Sequence, residues 1–154
     1  MKLKFSVNDI FSIFTRLITN IQRCIIKIKD KNMKSIGLKS GHVSCLYYLY
    51  KSGPLSQTEL CEICNENKAS ISRKLDYLTK NNYTRRDISE TNKYKNPIVL
   101  TEKGRQIAVF IDSKVKEIIL EADSVLNENE RINLYSSLEK INTKLQKMSL
   151  IGRK

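Results

Sequence analysis

No hydrophobic run in this sequence approaches the length needed to cross a bilayer, which excludes a membrane-spanning protein, and no membrane partner is expected. The opening residues, MKLKFSVNDIFSIF, hold no apolar core ending in a small-residue cleavage site, so a secretory signal is not expected and a cytoplasmic location is. Four cysteines in so helical a pattern do not make a disulfide framework, and reduced thiols are the default. Cys61-x-x-Cys64 has no second CxxC and no HxxxH to complete a zinc site, so no metal is expected. There is one histidine, no phosphate-cradling glycine loop and no nucleophile elbow. Catalytic residues, cofactors and an enzymatic activity are therefore not expected. Internal repeats, low-complexity tracts and flexible interdomain linkers are absent as well. The length fits one well-packed domain, or a small domain with helical extensions.

What the chain does have is positive charge. Its 154 residues carry 28 Lys and Arg against 16 Asp and Glu, a formal charge of +12. That balance favours a polyanionic partner, nucleic acid ahead of an anionic membrane surface, against the alternative of a merely soluble basic surface. Residues 1–40 are the most basic third, at +7, although a solvated helix face explains their charge equally well.

Apolar periodicity predicts a first helix from residue 9 to about 31, with Phe14, Ile18, Ile21, Ile25 and Ile28 on one face. Ile10, Phe11, Leu17 and Cys24 widen the stripe enough to bury against more than one neighbour. Gly37 interrupts. Ser40 is the expected cap of a second helix, Gly41 to Lys51, which Ser52-Gly53-Pro54 stops.

The stretch from Leu55 to Thr101 is more specific. Ser56 and Glu59 are spaced as a capping box, and Leu55 and Leu60 as a hydrophobic staple, for a helix ending near Cys64. Asn65 stands where a left-handed residue is needed, and Asn67 caps a helix from Lys68 to about Lys80. Two capped helices joined by so short a turn are a helix-turn-helix signature. Arg85–Ile88 and Pro97–Leu100 follow as expected short strands, joined by a polar loop over residues 89–96, with Pro97 at an edge or a strand start. Thr101 caps a long helix through Ile107, Ile111, Val115 and Ile118. Asn127 and Glu130 start a last one through Leu134, Leu138, Ile141, Leu145 and Met148. The fold class is mainly α with a small β-hairpin.

On the Lys68–Lys80 helix, Ile71, Leu75 and Leu78 must face a core, which leaves Ala69, Ser70, Ser72, Arg73, Asp76, Tyr77 and Lys80 on the remaining surface. Small residues near its start allow close backbone approach, and the free N–H groups there can take a phosphate oxygen. Ser70 and Ser72 can bond bases or phosphates, and Arg73 can read guanine through two parallel hydrogen bonds. The hairpin adds Arg85, Arg86, Lys93 and Lys95, with Tyr94 among them, a composition suited to a narrow minor groove and its phosphates.

The segments GPLSQTELCEIC, KASISRKLDYLTKNNYTRR and VLTEKG, followed by two helices, closely resemble the MarR family of winged-helix regulators. The resemblance implies a winged helix-turn-helix with N- and C-terminal dimerisation helices: residues 1–36 for pairing, 37–101 for DNA binding and 102–154 for pairing. It implies a homodimer whose recognition helices enter the major groove at two halves of a roughly palindromic operator, most often as a repressor relieved by a small-molecule or oxidant effector. By position, Lys68, Ala69, Ser70, Ser72 and Arg73 match the family's recognition helix. Tyr77 stands where many members have a second Arg. In the wing, Asn92-Lys93-Tyr94 departs from the family's Asp-x-Arg, so Lys93 or Lys95 must substitute there. The alternative function is a non-specific DNA-architectural or anionic-surface-binding basic protein.

Cys61 and Cys64 lie inside a short helix, where buried packing is the expected role. Cys24 in the first helix is near the place where hydroperoxide sensors resembling this family carry a cysteine, with Tyr47 and Tyr48 able to approach it; simple core packing is the alternative. His42 can cap its helix, bond a backbone group or line an effector pocket. Cys24, His42 and Tyr47 thus form the candidate effector or redox region.

Overall fold

The computed structural model describes residues 7–88 and 96–150. Its elements are α1 (Val7–Met33), a 3-10 turn (Lys34–Ile36), α2 (Ser40–Ser52), α3 (Gln57–Cys64), α4 (Lys68–Lys80), β1 (Thr84–Arg86), β2 (Ile98–Leu100), α5 (Glu102–Asp123) and α6 (Glu128–Leu150). The chain divides into two packing units, Met1–Asp112 and Ser113–Lys154.

In the first unit, Leu46, Leu60, Ile71, Leu78 and Ile111 are fully buried and join α2, α3, α4 and α5 in one core. The starts of α3 and α4 are each fixed by a specific acceptor. Ser56 Oγ accepts from the Glu59 N–H at 3.2 Å while Glu59 Oε2 accepts from the Ser56 N–H at 2.7 Å, the reciprocal box its spacing predicts. Asn65 takes the left-handed conformation (φ 52°), and Asn67 Oδ1 accepts from the Ser70 N–H at 2.9 Å. Every non-glycine residue with positive φ among those described is an asparagine (Asn65, Asn82, Asn96), the side chain best able to replace glycine there.

The cap of α2 differs from expectation. Ser40 is already helical, and Lys39 occupies the cap position with an extended backbone. The reason lies in where the first donors go: His42 Nδ1 accepts from the Lys39 N–H at 3.2 Å, and Asp30 Oδ1, at the end of α1, accepts from the Ser40 N–H at 2.7 Å.

The strands are shorter than expected. β1 and β2 pair antiparallel in the register Thr84↔Leu100, Arg85↔Val99 and Arg86↔Ile98, which leaves Asp87 and Ile88 beyond the ladder and Pro97 just before it. The Asp87 N–H still donates to the Pro97 carbonyl at 2.8 Å. Leu55, expected only as a staple, also forms an isolated bridge to Ile98, exchanging backbone hydrogen bonds of 3.2 and 2.8 Å. A single bridge has no periodicity, so no pattern announces it. Thr101 caps α5 as expected: its hydroxyl accepts from the Gly104 N–H at 3.0 Å and donates to the Asn82 carbonyl at 2.7 Å. Lys51 of α2 reaches Asp112 of α5 at 2.7 Å, and Asp112, 7% exposed, is with Thr84 one of two buried polar residues among those described.

In the second unit, Asn127 Oδ1 accepts from the Glu130 N–H at 3.0 Å and Glu130 Oε2 accepts from the Asn127 N–H at 2.9 Å, closing the box that starts α6. The Tyr135 hydroxyl donates to Asp123 at 2.9 Å and ties α6 to the end of α5. The apolar stripe of α1 is not covered in this single copy: Ile10, Phe11, Leu17 and Ile21 are 50–70% exposed. Along α6, Leu134, Ile141, Leu145 and Met148 are exposed too.

Candidate nucleic-acid interface

The 3.6-residue period sends Ile71, Leu75 and Leu78 of α4 inward, where all three are buried. Lys68, Ala69, Arg73, Asp76 and Lys80 are exposed on the other side. Ser70 and Ser72 are half-buried between the two. Arg85 and Arg86 of β1 are exposed and, with Leu75, Asp76, Thr79 and Ile98, line a shallow cleft of about 330 Å³ beside α4. Arg86 also donates to the Gln57 side-chain oxygen at 3.5 Å, and the Gln57 amide nitrogen in turn donates to the Lys68 carbonyl at 3.5 Å. The start of α3, the start of α4 and β1 are thereby linked on one side.

Several polar groups of α4 are already engaged within the protein. The Ser70 hydroxyl donates to Glu66 Oε2 at 2.7 Å, and Lys74 pairs with the same carboxylate. Burial pushes the Glu66 carboxyl up, but the hydrogen bonds from Lys74 and Ser70 outweigh it and hold its pKa below the ordinary value. Glu66, in the turn before α4, is a positioning residue that no motif singled out. Its signal was the spacing to Lys74, which only a folded turn brings together.

Tyr77 faces the protein. Its ring stacks on His42 with centroids 4.2 Å apart and planes within 3°, and its hydroxyl donates to the Gly37 carbonyl at 3.1 Å. This contact joins α4 to the start of α2. Burial first, then the charges of Lys39 and Lys74, lower the His42 pKa, and the acceptor role of Nδ1 agrees with a neutral ring.

His42 is thus brought to Tyr77. Tyr47 meets Tyr48 edge-on at 5.5 Å and lies 5.7 Å from the Lys51 ammonium, whereas Cys24 is exposed along α1. Ile18, Ile21, Ile25 and Lys29 of α1 face Ser40, Gly41 and Ser44 of α2 across an open groove of about 490 Å³. Cys61 and Cys64 are half-buried rather than buried, because α3 makes its core contact through Leu60. Lys93, Tyr94 and Lys95 lie outside the described residues. Among the described residues no cluster of His, Cys, Asp or Glu could hold a metal ion, and no helix is long and apolar enough to cross a membrane.

A helix-turn-helix followed by a two-stranded antiparallel hairpin, flanked by long helices, is a winged helix-turn-helix. Residues 38–93 match the MarR family model. Members of that family are transcription regulators, not enzymes. No curated protein matches the sequence. The fold is similar to that of MepR from S. aureus, solved as a complex with DNA (20% identity, 86% of this chain and 97% of that one, TM-score 0.75). It is also similar to the transcriptional regulator SlyA (20% identity, 91% and 99%, TM-score 0.82) and to a MarR protein from Peptoclostridium difficile (18% identity, 99% and 97%, TM-score 0.81).

Proposed function

We propose that this chain is a sequence-specific regulator that binds double-stranded DNA as a homodimer and represses transcription until a small-molecule or oxidant effector releases it. Residues 37–101 read the DNA, and residues 1–36 and 102–154 pair the two copies. The observation that carries the reading is the exposed face of α4, where Lys68, Ala69 and Arg73 stand clear of the core beside Arg85 and Arg86. Arg73 reads a base edge in the major groove, and Lys68, Arg85 and Arg86 hold phosphates. Ser70 and Ser72 approach the backbone from the same helix. Tyr77 serves by holding α4 to Gly37 and His42. Lys93, Tyr94 and Lys95 extend the contact from the wing. That the structurally similar MepR was solved in complex with DNA favours a DNA partner, and the open apolar stripes of α1 and α6 favour pairing. The α1–α2 groove is where a small effector would lodge.

The test is selection of duplexes from a random pool under excess competitor, followed by footprinting on the DNA upstream of the chain's own coding sequence. The expected footprint has two related half-sites about one helical turn, roughly 10 bp, apart. Equal retention of scrambled duplex would reject the reading in favour of a non-specific architectural or anionic-surface binder.

A further inference from the structure

We propose that Glu66 turns Ser70 into an acceptor-only contact on α4, so that Ser70 selects a base with an exocyclic amine, cytosine or adenine, at its place in the major groove. Contact with DNA rests on the function proposed above, whereas the direction of the Ser70–Glu66 bond does not.

Both donors of Ser70 are spent inside the protein. Its backbone N–H donates to Asn67 Oδ1 at 2.9 Å, and its hydroxyl donates to Glu66 Oε2 at 2.7 Å. Chemistry fixes the direction of the second bond. An ionised carboxylate only accepts, so the single hydroxyl proton of Ser70 must point at Glu66. Lys74 pairs with the same carboxylate oxygen and keeps it ionised. A hydrogen bond to such a charge is about twice as strong as one between neutral groups, so the proton is not readily given up. What Ser70 still presents, half-buried at the border of the exposed face, is the lone pairs of Oγ.

Lone pairs choose their partner by sign. A phosphate offers only acceptor oxygens and would need the proton that Glu66 holds. Of the two serines that α4 brings to the DNA backbone, Ser72 has no hydrogen bond among the described residues and keeps its proton for a phosphate. Ser70 must instead meet a donor, and in the major groove the donors are the N4 amine of cytosine and the N6 amine of adenine. Guanine and thymine place O6 and O4 there, so lone pair would face lone pair. The contact therefore rewards two bases and penalises the other two.

Glu66 withholds a cation in the same way. A Cβ built on Gly41 would lie 2.5 Å from Lys74 Cε and 2.8 Å from its Nζ, so the Lys74 side chain lies across the start of α2 with its ammonium on Glu66. One carboxylate thus takes from the DNA side of α4 a hydroxyl proton and an ammonium, and leaves Arg73 exposed beside an acceptor.

The experiment selects duplexes from a random pool with the full-length chain and with Ser70→Ala, Glu66→Ala and Lys74→Met. Comparison with Ser70→Ala identifies the position that Ser70 reads. The unaltered chain should hold that position to cytosine or adenine on one strand and lose about 2- to 12-fold in affinity with guanine or thymine there. Glu66→Ala frees the proton and Lys74, so the position should admit guanine and thymine, and the salt dependence should steepen by about one in slope. Lys74→Met keeps the Ser70–Glu66 bond and should keep the amine preference. The proposal is overturned if Ser70→Ala relaxes no position, if the relaxed position holds guanine or thymine, or if Glu66→Ala retains the amine preference. A second measurement needs no DNA: followed by carbon-13 NMR, the Glu66 carboxyl should titrate at higher pH in Ser70→Ala than in the unaltered chain. Identical titrations would show that the hydroxyl does not donate to Glu66, and would overturn the proposal by themselves. If no duplex can be selected the function reading fails, while the titration still decides the direction of the bond.

Discussion

Replacing Gly104 by alanine tests how the wing is held against α5. A Cβ built on Gly104 would lie 1.9 Å from the Tyr83 carbonyl oxygen and 2.8 Å from its carbon. Both are backbone atoms, so no side chain can swing aside. That carbonyl already accepts from the Thr101 N–H at 3.1 Å and from the Thr101 hydroxyl at 3.2 Å. Relief of the clash must therefore move the chain just ahead of β1 and lengthen both bonds. Overpacking of this kind costs about 1–3 kcal/mol, and each weakened hydrogen bond about 0.5–1.5 kcal/mol. Alanine recovers about 1 kcal/mol of helix propensity. The net loss is thus about 1–5 kcal/mol, readable in urea denaturation at fixed protein concentration. Gly41→Ala is the matched control. The atoms nearest its Cβ would be those of the Lys74 side-chain end, 2.5 Å away at Cε, which can rotate away, so a change within about 0.5 kcal/mol or a slight gain is expected. Equal effects of the two substitutions would refute the reasoning, because it depends on backbone being unable to yield where a lysine can.

Arg73→Ala should cost about 1–3 kcal/mol at its cognate base pair and relax specificity there; equal weakening on selected and scrambled duplex would remove Arg73 as a base reader. Tyr77→Phe keeps the stack on His42 but deletes the bond to Gly37, so stability should fall by about 0.5–1.5 kcal/mol in urea melts, with the base preferences of the selected duplex unaltered. His42 is held below its unfolded value of 6.5, so the unfolded chain binds the proton first as pH falls. Its stabilising contribution is complete above that value and is lost as pH drops towards the folded pKa. Melts across this range should therefore show a loss that His42→Asn lacks; parallel pH profiles would exclude the histidine as its source.

The sequence made the elements of the reading unit legible because each is fixed locally. Ser56 with Glu59, Asn67 and Thr101 satisfy helix ends within three residues of themselves, and Ile71, Leu75 and Leu78 carry their face in their spacing. The Lys39 cap went unseen because its partners act through a histidine ring and an aspartate ten residues before Ser40. Asp112 and Glu66 likewise depend on packing that leaves no period in the sequence. Tyr77 shows the limit of reading by position: a residue on the expected face of α4 is taken up by Gly37 and His42, whose sites are set by the packing of α2. Of the wing, the root is described and the Lys93–Lys95 segment lies outside the described residues.

The open stripe on α1 has a consequence for how much of this protein a cell must hold. Ile10, Phe11, Leu17 and Ile21 offer surface that a lone copy leaves in water. If two copies must meet before either recognition helix finds its half-site, occupancy of the operator at low abundance falls with the square of the amount made rather than in proportion to it. Halving synthesis would then cut occupancy about fourfold, where a twofold loss of DNA affinity would cut it only about twofold, so that dosage itself becomes an input to the regulator.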